Sequence, residues 1–287
     1  AECTRAARLF AELGQRDPVV LGLEINRAVA LSNVDEPAQS LQLFQRLEEE
    51  CDADGLELLA SQVRMNAAFV NAQRGEFDRA LARLGHAIRY FRRTDHPAFL
   101  AHSLLNRAEI YHQLGLLEES RAMAQEASEL FAREKMRYDR GQAIHQLALT
   151  SLAQGDHAAS FRAIRGALRL FEGEGNRART ALVRLLRAET LASRGRTRPA
   201  REEARAAGGV FRRLGLERWS AAAAVLLARL DAREGRPRPA IRRLERALGH
   251  LGSGEFPIIR YRLHETLGTI EEDTGDPTGD IPMRLYP

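Results

Sequence analysis

Glycines recur along this chain at a constant interval of 40 residues, and this period constrains the fold more than any other feature of the sequence. A chain that repeats itself at such an interval is built from one small structural unit, stacked many times over. The glycines of this column are Gly75, Gly115, Gly155, Gly195, Gly235 and Gly275, and Asp35 occupies the same slot one period earlier.

Four further columns keep the same phase as the glycines. Positions seven before, five after and twelve after the slot are small, and position sixteen after it is mostly Phe. Small side chains let two helices approach closely, and a Phe fills a wider gap between neighbouring pairs. In that order, the columns are Ala28, Ala68, Ala108, Ala148, Ala188 and Ala228; Ser40, Ala80, Ser120, Ser160, Ala200 and Ala240; Ala87, Ala127, Ala167, Ala207 and Ala247; and Phe91, Phe131, Phe171, Phe211 and Leu251.

The residues around each glycine predict two helices joined by a tight turn. Residues 103–111 have apolar side chains at helical spacing, and the following glycine can end a helix in a left-handed conformation. A second helix is predicted from Phe77 to about Arg92 in the preceding repeat. The abundance of Ala, Leu, Arg and Glu also favours helix. We therefore predict an all-α fold.

This arrangement resembles the tetratricopeptide repeat, a helix–turn–helix unit with small residues at its eighth, twentieth and twenty-seventh positions. The resemblance spans nearly the whole chain and implies a right-handed α-solenoid whose first helices line a concave face. The period of 40 exceeds the usual ~34, as in kinesin light chains and several bacterial signalling regulators, and implies a longer second helix and inter-repeat turn. The large aromatic common at the eleventh position occurs at Tyr111, but Asn71, Ser151, Leu191 and Asp231 hold the other slots.

We expect the repeats to occupy residues 1–275, with a partial first repeat at 1–14 and further repeats from about residue 18. A terminal helix at about 258–274 carries several acidic side chains and can cap the solenoid. Residues 276–287 are expected to be extended or disordered. Because the sequence begins without Met, we expect it to be part of a longer protein.

One polar column runs through the predicted first helices, nine residues before the turn slot. An Asn side chain offers an amide donor and a carbonyl acceptor, which match the two polar groups of a peptide unit. The resemblance implies that such a row of amides holds an extended peptide by its backbone, as in other tetratricopeptide proteins. The alternative is that these amides cap turns or satisfy neighbouring backbone groups. We call Asn26, Asn66, Asn106 and Gln146 the amide ladder.

Side chains beside the amide ladder would make the binding of a peptide selective. A chaperone-tail clamp is disfavoured, because it needs Lys or Arg ten residues before the turn, where Ile25 and Leu105 stand. The flanking residues expected on the concave face are Met65, Phe69, Gln73, His102, Glu109, His112 and His145.

No spacing in the sequence indicates a catalytic, metal or cofactor site. His102 and His112 are ten residues apart on one predicted helix, about 15 Å along its axis, which is too far to share an ion. Cys51 follows three glutamates, whose charges disfavour its thiolate. The two cysteines lack metal-ligand spacing, and with no signal-peptide layout they favour a cytoplasmic location.

Charge is unevenly distributed along the chain. Residues 1–140 have a net charge of −4 and residues 141–287 a net charge of +8. The predicted second helices after residue 195 are rich in Arg. This pattern is compatible with a solvated convex face, with a surface for an acidic partner, or with a stripe that binds phosphates. Base-stacking aromatics are scarce there, so nucleic acid is the least favoured of these partners.

These patterns favour a protein–protein interaction module that binds an extended peptide in its concave groove, rather than an enzyme. The alternative is the sensory arm of a larger signalling protein. Repeats of this length resemble those attached to caspase-like proteases, nucleotide-switch ATPases and transcription regulators, so an effector would lie outside this chain.

Overall fold

The computed structural model describes residues 18–33, 37–251 and 257–274, and the regular secondary structure in these ranges is helical. The predicted partial repeat at 1–14 and the predicted tail at 276–287 lie outside the described residues. The described helices are α1 (Pro18–Asn33), α2 (Pro37–Ala53), α3 (Glu57–Gln73), α4 (Phe77–Arg93), α5 (Pro97–Gln113), α6 (Leu117–Arg133), α7 (Arg137–Ala153), α8 (His157–Gly173), α9 (Arg177–Ser193), α10 (Thr197–Arg213), α11 (Glu217–Arg233), α12 (Pro237–His250) and α13 (Pro257–Thr274).

The 40-residue period consists of two equal halves. From α2 to α11 every helix has 17 residues, and three-residue turns separate them. First and second helices in this range are therefore equal in length, and so are the turns within and between the hairpins. The predicted helix at about 258–274 is present as α13.

The turns after the first helices α3, α5, α9 and α11 close in the same way. After α3, Gly75 has a φ of 77°, and the amide of Glu76 donates to the carbonyl of Asn71 over 2.9 Å. This hydrogen bond satisfies a carbonyl that the end of the helix leaves unpaired. The glycine column therefore marks the ends of the first helices, as the sequence predicted.

The chain divides into two compact units, unit 1 (residues 1–155) and unit 2 (residues 156–287). Within each unit every described helix packs against the next one along the chain. First helices of consecutive hairpins also touch, whereas among the described helices consecutive second helices do not. Each unit therefore has an inner face made by first helices and an outer face made by second helices.

The small-residue columns form the helix contacts. The side chains of the Ala column seven before the slot are fully buried from Ala28 to Ala228. Ser40 and Ser120 donate hydrogen bonds of 2.7 and 2.8 Å to the carbonyls of Ala28 and Ala108 across their hairpins. The Phe column is also buried throughout. The packing therefore confirms an all-α helical repeat solenoid. No helix in the described part of the chain is long and apolar enough to cross a membrane.

Candidate functional site

The inner face of unit 1 combines polar amides with one exposed aromatic ring. Residues three, four and seven positions apart share one face of a helix, so Gln62, Asn66, Phe69 and Gln73 lie together on α3. Phe69 is 37% exposed, although Phe side chains are usually buried. This face offers an apolar contact beside amide groups, which suits a peptide with mixed side chains.

The three asparagines of the amide ladder keep their side-chain amides unpaired. Asn26 is exposed, and Asn66 and Asn106 are half-buried on α1, α3 and α5. No residue in the described ranges hydrogen-bonds to any of these three side chains, and none of their amide atoms is buried without a partner. The alternative role, capping a turn or satisfying the backbone, therefore finds no support in the described hydrogen bonds.

Gln146 differs from the other members of the amide ladder. Its side chain is only 5% exposed, and its Nε2 lies 3.4 Å from both the Ser120 and the Thr150 hydroxyls. The same Thr150 hydroxyl lies 3.0 Å from that of Ser120 and 3.4 Å from Nδ1 of His112. This buried polar cluster holds the Gln146 amide between helices. The three asparagines are therefore the members of the amide ladder that remain unpaired.

Two histidines line the inner face of unit 1 beside the ladder. Nε2 of His102 lies 4.0 Å from Oδ1 of Asp139, and its imidazole packs edge-on against the Phe131 ring. Burial lowers the pKa of His102, against the opposing charge of Asp139, and burial also lowers the pKa of His112. Both imidazoles are therefore neutral at pH 7, so this part of the face presents hydrogen-bonding groups rather than positive charge.

The remaining predicted residues take different positions. Met65 is almost fully buried and belongs to the core of unit 1, so it supports the face from below. Gln73 is exposed, and Glu109 and His145 are half-buried on α5 and α7. Among the described residues no group of three His, Cys, Asp or Glu side chains is arranged to hold a metal ion.

Cys51 lies in the core of unit 1 and has no access to solvent. Burial, with the nearby Asp52 and Glu50 charges, raises the pKa of its thiol to about 11. A thiol with this pKa is almost wholly protonated at pH 7, so it is a poor nucleophile.

The inner face of unit 2 is charged, with Arg229 and Arg233 on α11 and Glu189 on α9. Arg229 donates to the Thr266 hydroxyl over 3.3 Å, and Arg233 donates to the Ala192 carbonyl over 3.3 Å. Burial raises the pKa of Glu189, although the charges of Arg262 and Arg229 oppose the shift. The two inner faces therefore differ in chemistry.

Some arginines of the predicted stripe are structural, which sequence reasoning missed. Arg201 Nη1 lies 2.6 Å from Asp231 Oδ1, and Arg243 and Arg236 each approach Asp231 to 3.0 Å. We call these four residues the Asp231 cluster. The sequence did contain a signal for this cluster, because Asp231 stands in a slot where tetratricopeptide repeats usually have an aromatic residue. A carboxylate buried at such a position requires paired cations.

No protein-family model matches this sequence, and no curated protein matches it either. Solved structures do match its fold. A signal transduction ATPase with a tetratricopeptide repeat sensor from Pyrococcus horikoshii is 12% identical, with a TM-score of 0.69, over 94% of this chain and 41% of that one. A chain of the APC/C hetero-tetramer Cut9-Hcn1 is 14% identical, with a TM-score of 0.68, over 94% of this chain and 45% of that one.

A third structure matches over most of both chains. A Rap protein complexed with Competence and Sporulation Factor is 13% identical, with a TM-score of 0.63, over 89% of this chain and 86% of that one. At such low identities these similarities establish the fold alone.

Proposed function

We propose that this chain, an α-solenoid with the tetratricopeptide-repeat fold, is a protein-interaction module that binds an extended peptide on the inner face of unit 1. The observation that carries the proposal is the set of free amides at Asn26, Asn66 and Asn106, repeated every 40 residues on consecutive first helices. The structure of a Rap protein complexed with Competence and Sporulation Factor, which has a similar fold, supports a binding role for this fold.

The chemistry of the face suits a peptide backbone. Each Asn amide can donate to a carbonyl and accept from an N–H, so three of them in a row can hold successive parts of an extended strand. Hydrogen bonds to the backbone do not depend on the ligand's sequence, and Phe69, His102 and Glu109 would add selectivity through its side chains. Because His102 and His112 are neutral at pH 7, the favoured ligand is uncharged or mixed in charge.

The test is a double substitution in the ladder. Peptides without stable structure would be selected from a displayed random library on the whole chain, and the tightest one labelled for fluorescence anisotropy. Asn66→Ala with Asn106→Ala removes up to four hydrogen bonds of about 1 kcal/mol each, so the Kd should rise about tenfold or more. The melting temperature should change little, because neither amide has a described partner.

Two amides on the outer face provide the matched control. Gln42 and Gln125 are exposed on the second helices α2 and α6, so Gln42→Ala with Gln125→Ala should leave the Kd unchanged. A second control replaces the peptide with versions N-methylated along the backbone, which should lose affinity while keeping their side chains. Equal affinity of the ladder variant and the unchanged chain would remove the amide ladder from the proposal.

The second candidate is the sensory arm of a larger signalling protein. It is favoured by the similarity to an ATPase whose tetratricopeptide repeats are described as its sensor, of which this chain spans 41%. Peptide binding to unit 1 would then change the activity of an effector encoded elsewhere in the same reading frame. The complete reading frame tests this candidate, because it either contains an ATPase, protease or DNA-binding motif or lacks one.

A further inference from the structure

The outer face of unit 2 contains a groove of about 640 Å³ between the second helices α10 and α12, with the first half of α11 as its floor. We call it the outer groove. Its floor is formed by small and apolar residues, and its rim is basic. The floor includes Gly208, Ala221, Ala224 and Leu227, and the rim includes Arg205, Arg212, Arg243, Arg246 and His250.

The repeat register explains why the groove opens at this place. A second-helix residue faces the residue 16 positions later on the next first helix, as shown by Glu48, whose carboxylate accepts from Arg64 over 2.9 Å. Gly208 and Ala224 form the smallest of these pairs, and both line the groove. The equivalent pairs are Glu48 and Arg64, Ile88 and Leu104, Ser128 and Ile144, and Leu168 and Arg184.

The rim has positive charge that the described part of the chain leaves unpaired. Arg205, Arg212 and Arg246 are exposed, and no described carboxylate forms an ion pair with any of them. Arg243 differs, because it is bound to Asp231. Glu217 is the only acidic residue among those that line the groove, so the free charge of the rim is positive.

We propose that the outer groove binds an acidic segment of a partner protein, which inserts one bulky apolar side chain between its carboxylates. The small floor accepts the apolar side chain, and Arg205, Arg212 and Arg246 pair with the flanking carboxylates in bidentate geometry. A nucleic acid fits less well, because the residues that line the groove include no Phe, Tyr or Trp side chain for stacking bases. This proposal is independent of the amide ladder.

The probe is a short fluorescein-labelled peptide of glutamates around one central phenylalanine, compared with a twin that has glycine at the centre. The whole chain should bind the phenylalanine peptide about tenfold more tightly, since burying a Phe side chain contributes that much or more. Arg205→Ala with Arg212→Ala should weaken both peptides alike. Asn66→Ala with Asn106→Ala should leave both affinities unchanged, which separates this site from the inner face of unit 1.

The decisive variant fills the groove. Gly208→Ile with Ala224→Leu recreates the pair Ile88 and Leu104 that unit 1 already accommodates in its core, so this variant should fold, as a melting curve would check. A Cβ at Gly208 would lie 3.3 Å from that of Ala223, and its counterpart beside Ile88 is Ser103, also a small residue. The filled variant should bind both peptides equally and weakly.

The matched control substitutes the adjacent glycine. Gly209 does not line the groove, and a Cβ there meets only the flexible end of Arg213 at 3.6 Å, so Gly209→Ile should keep the full preference for phenylalanine. Equal binding of the two peptides to the unchanged chain would overturn the proposal. A preference for the phenylalanine peptide that survives in the filled variant would also overturn it. So would tight binding of a polyuridine oligonucleotide, if the filled variant retains that binding.

Discussion

Individual residues at positive φ occur every 20 positions in the described turns, from Gly55 to Gly235. Eight of these ten residues are glycine, and the exceptions are Asp95 and Lys135, with φ of 54° and 58°. A side chain in this left-handed region crowds the following carbonyl oxygen, at a cost of about 1–2 kcal/mol. These two turns therefore fold despite local strain, because the helices on either side fix their geometry.

Lys135→Gly should stabilise the protein. The exposed Lys135 side chain forms no described contact, and glycine would remove the strain at its φ of 58°. Allowing for the greater freedom of glycine in the unfolded chain, we expect a net gain of about 0.5–1 kcal/mol. Urea unfolding followed by circular dichroism measures the difference. Lys135→Ala keeps the strain and should gain nothing, so equal stability of the two variants would contradict this account.

At the scale of helices, polar clusters replace the aromatic residue that tetratricopeptide repeats usually carry in the eleventh slot. In unit 1, Asn71 accepts from Arg83 over 2.6 Å and donates to Glu76 over 2.6 Å. In unit 2, Asp231 holds the equivalent slot and Arg243 the equivalent of Arg83. Each cluster joins a first helix to the second helix of the same hairpin. Hydrogen bonds therefore fix the hairpin geometry here, whereas an aromatic side chain in this slot would fix it by packing.

Removing the Asp231 carboxylate should destabilise unit 2. Asp231→Ala leaves the nearly buried Arg201 guanidinium with Glu234 as its remaining partner, so the loss should approach but not exceed the ~3–5 kcal/mol of a buried charge with no partner. Asp231→Asn keeps an acceptor, as Asn71 does for Arg83, and should cost less. Urea unfolding at pH 7 would measure both. A loss below about 1 kcal/mol for Asp231→Ala would show that the cluster adds little net stability.

The same cluster predicts how stability depends on pH. Burial opposes the charge on Asp231, but hydrogen bonds from Arg243 and Arg201 outweigh it and hold the pKa of this carboxyl below its ordinary value. Its contribution is therefore complete above the unfolded pKa of about 4 and is lost as the pH falls through the lower folded value. The urea midpoint of the unchanged chain should fall more steeply below about pH 4 than that of Asp231→Asn.

The sequence predicted the helical hairpins and their contact columns because small and aromatic residues recur with an unbroken period. It did not reveal that the period halves into two 20-residue steps, because Asp95 and Lys135 interrupt the second glycine column. Nor did it separate Gln146 from the asparagines, since burial depends on the hydroxyls of Ser120 and Thr150, which lie on two other turns of helix. Periodicity reports which residues face a neighbour, but not which hydrogen bonds they form there.

Across the whole molecule, charge follows the division into units. Residues 141–155 carry no charged side chain other than His145, so unit 1 has the net charge of −4 and unit 2 that of +8. The inner face of unit 1 has free amides and neutral histidines, whereas the outer groove of unit 2 has free arginines. One chain can therefore offer two binding surfaces that respond differently to salt.

Raising the salt concentration should distinguish the two proposed sites on the unchanged chain. Charged contacts are screened over about 10 Å at 0.1 M salt and about 3 Å at 1 M, whereas hydrogen bonds between neutral amides and peptide groups are not. We expect the library-selected peptide on unit 1 to keep its Kd within about twofold as salt rises across this range, while the glutamate peptide with phenylalanine loses about tenfold or more. Fluorescence anisotropy on the same protein sample gives both curves. Parallel curves would mean that one surface binds both probes, and the assignment of separate sites to unit 1 and unit 2 would then be wrong.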